Sequence, residues 1–135
     1  MGGLGYLRLA GSLRETPLAS LGAAAEEANG AEKFLREAAS LFAGRGWLRI
    51  FVIGFGPSVA AVLLASSYLK NILGYLSAFD PRYQAFGFGR ELLLQAIRYA
   101  HERGYRCWNF LRGDESYKFS WGAVRIEKRR VIIRR

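Results

Sequence analysis

The sequence has one cysteine and one histidine among its 135 residues, and both scarcities limit its chemistry. A single thiol, Cys107, cannot form an internal disulfide framework or a cysteine-based metal cluster, and it suits a reducing compartment. His101 lies near the end of a predicted helix with no nucleophile pattern around it, so we interpret it as a surface residue. No basic stretch followed by an apolar core opens the sequence, so no signal peptide is predicted. These absences favour a cytoplasmic protein without a metal site.

Long apolar runs are also scarce. The one uncharged run of membrane-spanning length covers residues 50–69. The turn signal "GFGPS", with Pro57 between a glycine and a serine, interrupts it near the middle. Each half is then typical of a short apolar strand. We therefore predict a buried hairpin and no membrane span.

Basic residues are abundant, and the formal net charge is +9. Such a charge attracts anions, whether nucleic acid, a membrane surface or a phosphorylated cofactor. The C-terminal "EKRRVIIRR" is the most basic stretch, and it is also typical of a solvated strand edge whose charges prevent aggregation. Because no nucleic-acid motif and no interleaving of basic and aromatic residues is clear, a nucleic-acid partner is not expected.

The chain is 51% hydrophobic and 23% charged, which is typical of one folded domain with its own core. We predict a partly irregular or helical segment over residues 1–30 and a single domain over residues 31–135. Apolar periodicity predicts α/β (α+β) architecture with a mixed sheet and helices on its faces. The predicted helices cover residues 17–29, 31–43 and 90–104, with a polar loop or short helix at 112–122, and the predicted strands cover 47–53, 59–67, 72–79, 105–111 and 123–135.

The stretch "YQAFGFGRE", residues 83–91, follows a predicted strand and opens the clearest helix of the chain. A helix N-terminus presents unpaired N–H groups and the positive end of the helix dipole, and glycines let a phosphate approach them. Gly87 and Gly89 are equally typical of a tight strand-to-helix connection. The Lys-Ser/Thr of a Walker loop and the third glycine of a dinucleotide fingerprint are missing, which disfavours ATP hydrolysis and NAD binding.

The spacing Gln84-x-x-Gly87-x-Gly89 resembles the pyrophosphate loop of the GNAT acetyltransferases. The resemblance implies a GNAT-like, mostly antiparallel sheet with helices on both faces. It also implies that the strand before the loop diverges from its neighbour and leaves backbone groups free for a pantetheine arm. Acetyl-CoA, or another acyl-CoA, would then be bound by Leu76, Ser77, Ala78, Phe79, Gln84, Ala85, Phe86, Gly87, Phe88, Gly89 and Arg90.

A second block, "NFLRGDESYKFSWGA" at residues 109–123, is similar to one branch of that family. The branch comprises the acetyltransferase domains of exopolysaccharide and cellulose-biosynthesis accessory proteins (BioF2-like), which are related to the FemAB peptidyltransferases. Two departures stand out. Asn109 replaces the usual aspartate, and the chain matches one half where members often have two. A homodimer supplying the second half is therefore predicted.

The resemblance implies roles for four residues of this block. Tyr117 would be the general acid that protonates the leaving thiolate, and otherwise is a packed aromatic residue. Asp114 would bind the acceptor or act as base through water, although aspartate is also a favoured helix N-cap. Lys118 would stabilise developing negative charge or anchor a backbone carbonyl, and Arg112 would bind an acidic acceptor group. A plain surface ion-pair cluster is the remaining interpretation of "RGDESYK".

The resulting prediction is an acyl-CoA-dependent N-acyltransferase that acts on an amine of a sugar or peptide-like acceptor. The alternative is a degenerate GNAT-fold binding module without turnover.

Overall fold

The computed structural model describes residues 6–9, 31–127 and 129–133. The helices are α1 (Ala31–Gly44), a 3-10 helix (Pro81–Phe86), α2 (Phe88–Glu102) and the short α3 (Ser116–Ser120). The strands are β1 (Tyr6–Leu9), β2 (Leu48–Phe55), β3 (Ser58–Tyr68), β4 (Asn71–Phe79) and β5 (Cys107–Asn109).

The five strands form one sheet in the order β1-β2-β3-β4-β5. The pairs from β1 to β4 are antiparallel, and β5 runs parallel to β4. A parallel pair needs a crossover of a dozen or more residues, which the 3-10 helix and α2 provide. The predicted mixed, mostly antiparallel α/β fold is confirmed.

Both faces of the sheet carry apolar side chains, because successive residues of a strand point to opposite sides. Phe51 and Ile53 pack in a buried cluster with Leu92 of α2. Ile50 belongs to a second cluster, against which Leu35 of α1 packs. The helices therefore lie on both faces, as predicted.

The apolar run over residues 50–69 forms the β2–β3 hairpin, and its tip is Gly56-Pro57 with Gly56 at φ 58°. Most of its residues are buried in the sheet. No helix among the described residues is long and apolar enough to cross a membrane.

Three predicted segments differ from the structure. Residues 6–9 fall in a stretch expected to be irregular, yet they pair with β2. The strand predicted over 105–111 is limited to Cys107–Asn109, because the Asn109 Oδ1 accepts the N–H of Leu111 at 2.7 Å and Leu111 turns to φ 58°. Residues 123–127 and 129–133 form no helix or strand despite their alternation, since no strand pairs with them among the described residues. The helix predicted over 17–29 lies outside the described residues.

Candidate active site

The sheet forks where β4 and β5 meet. The two strands pair only between Asn71–Leu73 and Cys107–Asn109, while β4 continues to Phe79. Residues 74–79 therefore have no strand partner on that side within the described part of the chain. A β-bulge adds to the divergence, since Gly74 and Leu76 pair with consecutive residues of β3 and Tyr75 is left over. A bulge bends its strand and increases its twist.

A large open cleft of about 1110 Å³ occupies this fork. One wall is the unpaired edge of β4, with Ser77 and Phe79 among its residues, and another is the first turn of α2, with Gly89 and Arg90. The cleft continues past β5 to α3. Several of the residues predicted to bind a cofactor thus line the same space as the candidate catalytic block.

The first turn of α2 borders this cleft through Gly89 and Arg90, and a smaller hollow beside it is lined by Gly87 and Phe88 as well. Gly87 is the N-cap, at φ 64° and ψ 28°, and it gives no side-chain cap to the first N–H groups. The N–H of Arg90 already bonds to the Gly87 carbonyl at 3.1 Å. The N–H groups of Phe88 and Gly89 precede it and have no intrahelical acceptor, as in the first turn of any α-helix. They are available to an anion.

The glycine loop before α2 is shorter than the sequence suggested, because the 3-10 helix and α2 include most of its residues. Pro81 opens the 3-10 helix, and the carboxylate of Asp80 accepts the backbone N–H of Arg82 at 3.0 Å. Hydrogen bonds from Arg82 also lower the pKa of Asp80. As a result Gly89 lies inside the first turn of α2, and Gly87 alone stands between the helices.

Not all the predicted cofactor residues face the cleft. Gln84 and Phe88 line a smaller hollow of about 120 Å³, shared with Gly87, Gly89 and Arg90. Ala78 lines a groove with residues of β3. Leu76 lines the large cleft. Ala85 and Phe86 lie in the 3-10 helix with exposed side chains, and Phe86 stacks on Phe88 with ring centroids 5.4 Å apart.

Tyr117 and Arg112 both line the large cleft. The Tyr117 ring is half exposed and makes an edge contact with Phe110, with centroids 6.2 Å apart. Tyr117 is therefore partly a packed aromatic residue, with Phe110 as its aromatic neighbour. The Arg112 guanidinium is exposed and makes no ion pair or side-chain hydrogen bond with the described residues.

Lys118 lines the cleft, but its ammonium is already bonded to other groups of the protein. It is 6% exposed, and its ammonium donates to the carbonyls of Arg112 and Gly113 and pairs with the Glu115 carboxylate at 2.7 Å. The hydrogen bond from Lys118 lowers the pKa of Glu115. This geometry is that of a carbonyl anchor, one of the two roles expected for Lys118.

Asp114 does not line the cleft in the described structure. Its carboxylate pairs with Arg125 at 3.2 Å, and both side chains are mostly exposed. It does not cap α3 either, because Glu115 is the N-cap residue there and makes no side-chain cap bond. Part of the block is therefore a surface ion-pair cluster.

Sequence reasoning missed Trp108, Phe110 and Glu115, all of which line the cleft. The indole of Trp108 lies over Gly74, where an added Cβ would be 3.1 Å from its Cζ2. An aromatic residue within a predicted strand carries no local signal that distinguishes a cleft wall from a core position. A glycine within a strand, by contrast, often marks a close approach, and Gly74 was that signal.

The shape of the site fits an acyl-CoA. A Cβ built on Gly87 would meet nothing within 4 Å, and the hollow of about 120 Å³ lies beside Gly87, Phe88 and Gly89. An extended arm has the unpaired edge of β4 available to it. Arg90, whose side chain has no partner among the described residues, adds positive charge beside the helix N-terminus.

Comparisons with solved structures identify proteins of the same fold. The ribosomal-protein-S18-alanine N-acetyltransferase from Escherichia coli is 22% identical, with a TM-score of 0.62 over 85% of this chain and 73% of its own. The aminoglycoside N-acetyltransferase AAC(6')-Iy in complex with CoA is 17% identical, with a TM-score of 0.65 over 100% and 96%. A possible acetyltransferase from Clostridium difficile 630 is 13% identical, with a TM-score of 0.69 over 97% of each chain.

A search of curated protein sequences gives no significant match. The family model described as "Acetyltransferase (GNAT) domain" matches residues 17–119, which is well over half of the chain. That match includes the fork, the N-terminus of α2 and most of α3. The chain belongs to the GNAT acetyltransferase family.

Proposed function

We propose that this protein transfers an acetyl or other acyl group from acyl-CoA to an amine of a sugar or peptide-like acceptor that carries an anionic group. The cleft is the observation that carries the proposal, because it joins the unpaired edge of β4 and the N-terminus of α2 to Arg112 and Tyr117. Membership of the exopolysaccharide and cellulose-biosynthesis branch is part of the proposal, and the block at residues 109–123 supports it.

Donor binding relies mainly on backbone groups. The N–H groups of Phe88 and Gly89, with the guanidinium of Arg90, would hold the phosphates. The backbone edge of residues 74–79 would bind the arm as a further strand would be bound. Acyl-CoA supplies the activated thioester. The remaining chemistry is deprotonation of the amine, polarisation of the thioester carbonyl and protonation of the leaving sulfur.

Tyr117 is the residue we propose to donate that last proton from its hydroxyl. It lines the cleft, it is half exposed, and its hydroxyl makes no hydrogen bond with the described residues. A proton donor must be within hydrogen-bond reach of the leaving atom. Tyr117 is suited to this role because it lines the cleft and its hydroxyl is not committed to another of the described residues. Lys118 would act beside it as the anchor of the loop that carries Arg112 and Gly113.

Arg112 is proposed to select the acceptor. Glu115 and Lys118 neutralise each other, so Arg90 and Arg112 are the unpaired charges of the cleft among the described residues. With Arg90 assigned to the donor, Arg112 remains for an anionic group of the acceptor. Arg112→Ala should raise the acceptor KM about tenfold, and Arg112→Lys should recover part of it, while the Kd for CoA stays constant. A change in the Kd for CoA alone would instead assign Arg112 to the donor.

The test of the whole proposal is an acetyl-CoA titration followed by thiol release. Saturating acetyl-CoA, at about 100 times its Kd, should stabilise the fold by about 2.7 kcal/mol and raise the Tm. Release of CoA thiol on adding a panel of amino sugars and amino-acid amines then reports turnover. No Tm shift at millimolar acetyl-CoA would refute the proposal.

One observation favours the second candidate, a binding module without turnover. Glu115 is the only carboxylate among the described residues that line the cleft, and it is paired with Lys118. No unpaired side-chain base therefore faces the acceptor. An enzyme would have to use an acceptor amine that loses its proton to water, so its rate should rise with pH through the amine pKa. Binding of acetyl-CoA without thiol release at any pH up to 9 would establish the second candidate.

We also propose that the protein acts in the cytoplasm and as a homodimer. A second copy would complete an acceptor side that is formed by a single half of the two-half branch. Size-exclusion chromatography with light scattering should give twice the mass of the chain at micromolar concentration. A clean monomer would contradict this part of the proposal.

A further inference from the structure

We propose that Trp108 and Gly74 form a wedge that holds the β4–β5 fork open, so that Trp108 is a positioning residue for acyl-CoA. The inference rests on the proposed function, since it names what keeps that donor site accessible. Three features support the proposal: the short pairing of β4 with β5, the close contact of Trp108 with Gly74, and the packing of the indole ring.

The contact lies where the ladder stops. The last paired residues are Leu73 of β4 and Asn109 of β5, and Gly74 is the next residue of β4. Trp108 pairs with Ile72, so its side chain leaves the sheet on the same face as that of Ile72. From there the indole extends over Gly74, where Cζ2, Nε1 and Cε2 lie 3.1, 3.3 and 3.4 Å from the position of an added Cβ.

Gly74 leaves room for the indole ring because it has no side chain. Contacts of 3.0–3.4 Å are tighter than a Cβ normally makes, so an alanine would force the indole or the strand to shift. The backbone of Gly74 does not have the positive φ that would itself require glycine. The close approach of the ring is therefore the reason for glycine at this position.

The indole is fixed by packing and not by a hydrogen bond. It contacts Phe51, which is 1% exposed, and Phe110, with centroid distances of 6.4 and 6.3 Å. Its Nε1 is buried and has no acceptor among the described residues. A buried N–H without an acceptor is unfavourable. The position of the ring is therefore set by its shape and its packing, and not by a hydrogen bond of its N–H group.

The wedge has a direct consequence for the ligand. The Asn109 side chain ends β5, and the indole seated on Gly74 keeps the chain that follows away from β4 beyond Leu73, so the backbone edge of residues 74–79 stays free for the arm of the donor. Trp108 also lines the cleft, so a bound donor would lie against the ring. Loss of the wedge should thus appear in the Kd for CoA more than in kcat.

The test is a double-mutant cycle of Gly74→Ala and Trp108→Phe, with Kd for CoA measured by calorimetry and folding checked by Tm. We expect each single change to weaken CoA binding by about tenfold, because one crowds the indole and the other vacates its place. The double variant should return to within about threefold of the wild type, because the new methyl fills the vacated space. Trp47→Phe is the control, since Trp47 packs on Phe42 and Tyr68 away from the cleft.

A second measurement follows the indole ring directly by NMR. The indole N–H signal of Trp108 in a ¹H–¹⁵N spectrum, assigned by its loss in Trp108→Phe, should shift in Gly74→Ala and again when CoA binds. If the wild-type protein binds CoA, and the two changes have no effect on the Kd or have effects that simply add, the wedge is overturned and the proposed function is left intact. No binding of CoA to the wild-type protein would overturn both.

Discussion

Replacing Lys118 with methionine tests whether this residue anchors the loop that carries Arg112 or supplies a positive charge for catalysis. Lys118 is 6% exposed, and its ammonium holds the carbonyls of Arg112 and Gly113 together with the Glu115 carboxylate. Methionine has a similar length and keeps the packing, but it cannot donate. The two carbonyls would lose their charged donor, and the loop that carries Arg112 would lose its attachment to α3.

The size of the effect follows from those bonds. A hydrogen bond to a charged group contributes about 1.5–3 kcal/mol. The exposed Glu115 carboxylate can be solvated again by water, so its pairing with Lys118 adds only a small share, which is left out of this figure. We therefore expect the free energy of unfolding to fall by about 2 kcal/mol. For a chain of this size that corresponds to a Tm lower by roughly 6–10 °C.

The assay is thermal unfolding of Lys118→Met beside Lys33→Met. Lys33 is 84% exposed and its ion pair with Glu37 spans 3.9 Å, so its replacement should change the free energy of unfolding by less than about 0.5 kcal/mol. A Lys118→Met protein that melts like the control but no longer turns over would refute the anchor and assign Lys118 a catalytic charge.

Three further predictions test the remaining parts of the site. Gly89→Val should weaken CoA binding about tenfold or more while Gly89→Ala has a smaller effect, and equal Kd values for the two variants would contradict a phosphate site at this helix turn. Asn109→Asp should keep the Tm within about 1 °C because a carboxylate oxygen can still accept the Leu111 N–H, whereas Asn109→Ala should lower it by several degrees; equal melting of both variants would argue against that turn. Because Lys118 lowers the pKa of Glu115, their pairing stabilises the fold above the ordinary glutamate pKa of about 4.3 and this stability is lost as the pH falls through the lowered pKa. The decrease in Tm below about pH 5 should therefore be shallower in Lys118→Met, and an unchanged slope would contradict the pairing in solution.

Local signals in the sequence predicted most of the scaffold. The turn "GFGPS" and the uncharged run on either side of it, residues 50–69, predicted the β2–β3 hairpin, because two tightly connected apolar strands bury each other. The apolar periodicity after Gly89 predicted α2, whose Leu92, Ala96 and Ala100 are buried. In both cases the information lies within a few residues of the element that it specifies.

The features that shape the cleft depend on contacts between distant residues and on side-chain hydrogen bonds, neither of which apolar periodicity reports. Trp108 gains its role from Gly74, more than thirty positions earlier, and no local pattern connects the two. The sequence predicted a strand of seven residues at 105–111, but the Asn109 side chain ends it by accepting the Leu111 N–H. Periodicity reports which residues can form a strand, while the length of the strand depends on such competing hydrogen bonds.

The proposed donor and acceptor sides of the cleft differ in how they are built, and this difference explains how much of each the sequence revealed. The donor side consists of backbone groups, namely the edge of β4 and the first N–H groups of α2, and glycines and strand patterns signal such groups directly. The acceptor side consists of side chains on the loop from Arg112 to Glu115, held in place by Lys118. A change in that loop alters the charge and shape presented to the acceptor without touching the β4 edge or the α2 turn. Acceptor specificity can therefore vary while the donor site is maintained, and substitutions in residues 112–115 should change the acceptor KM at a constant Kd for CoA.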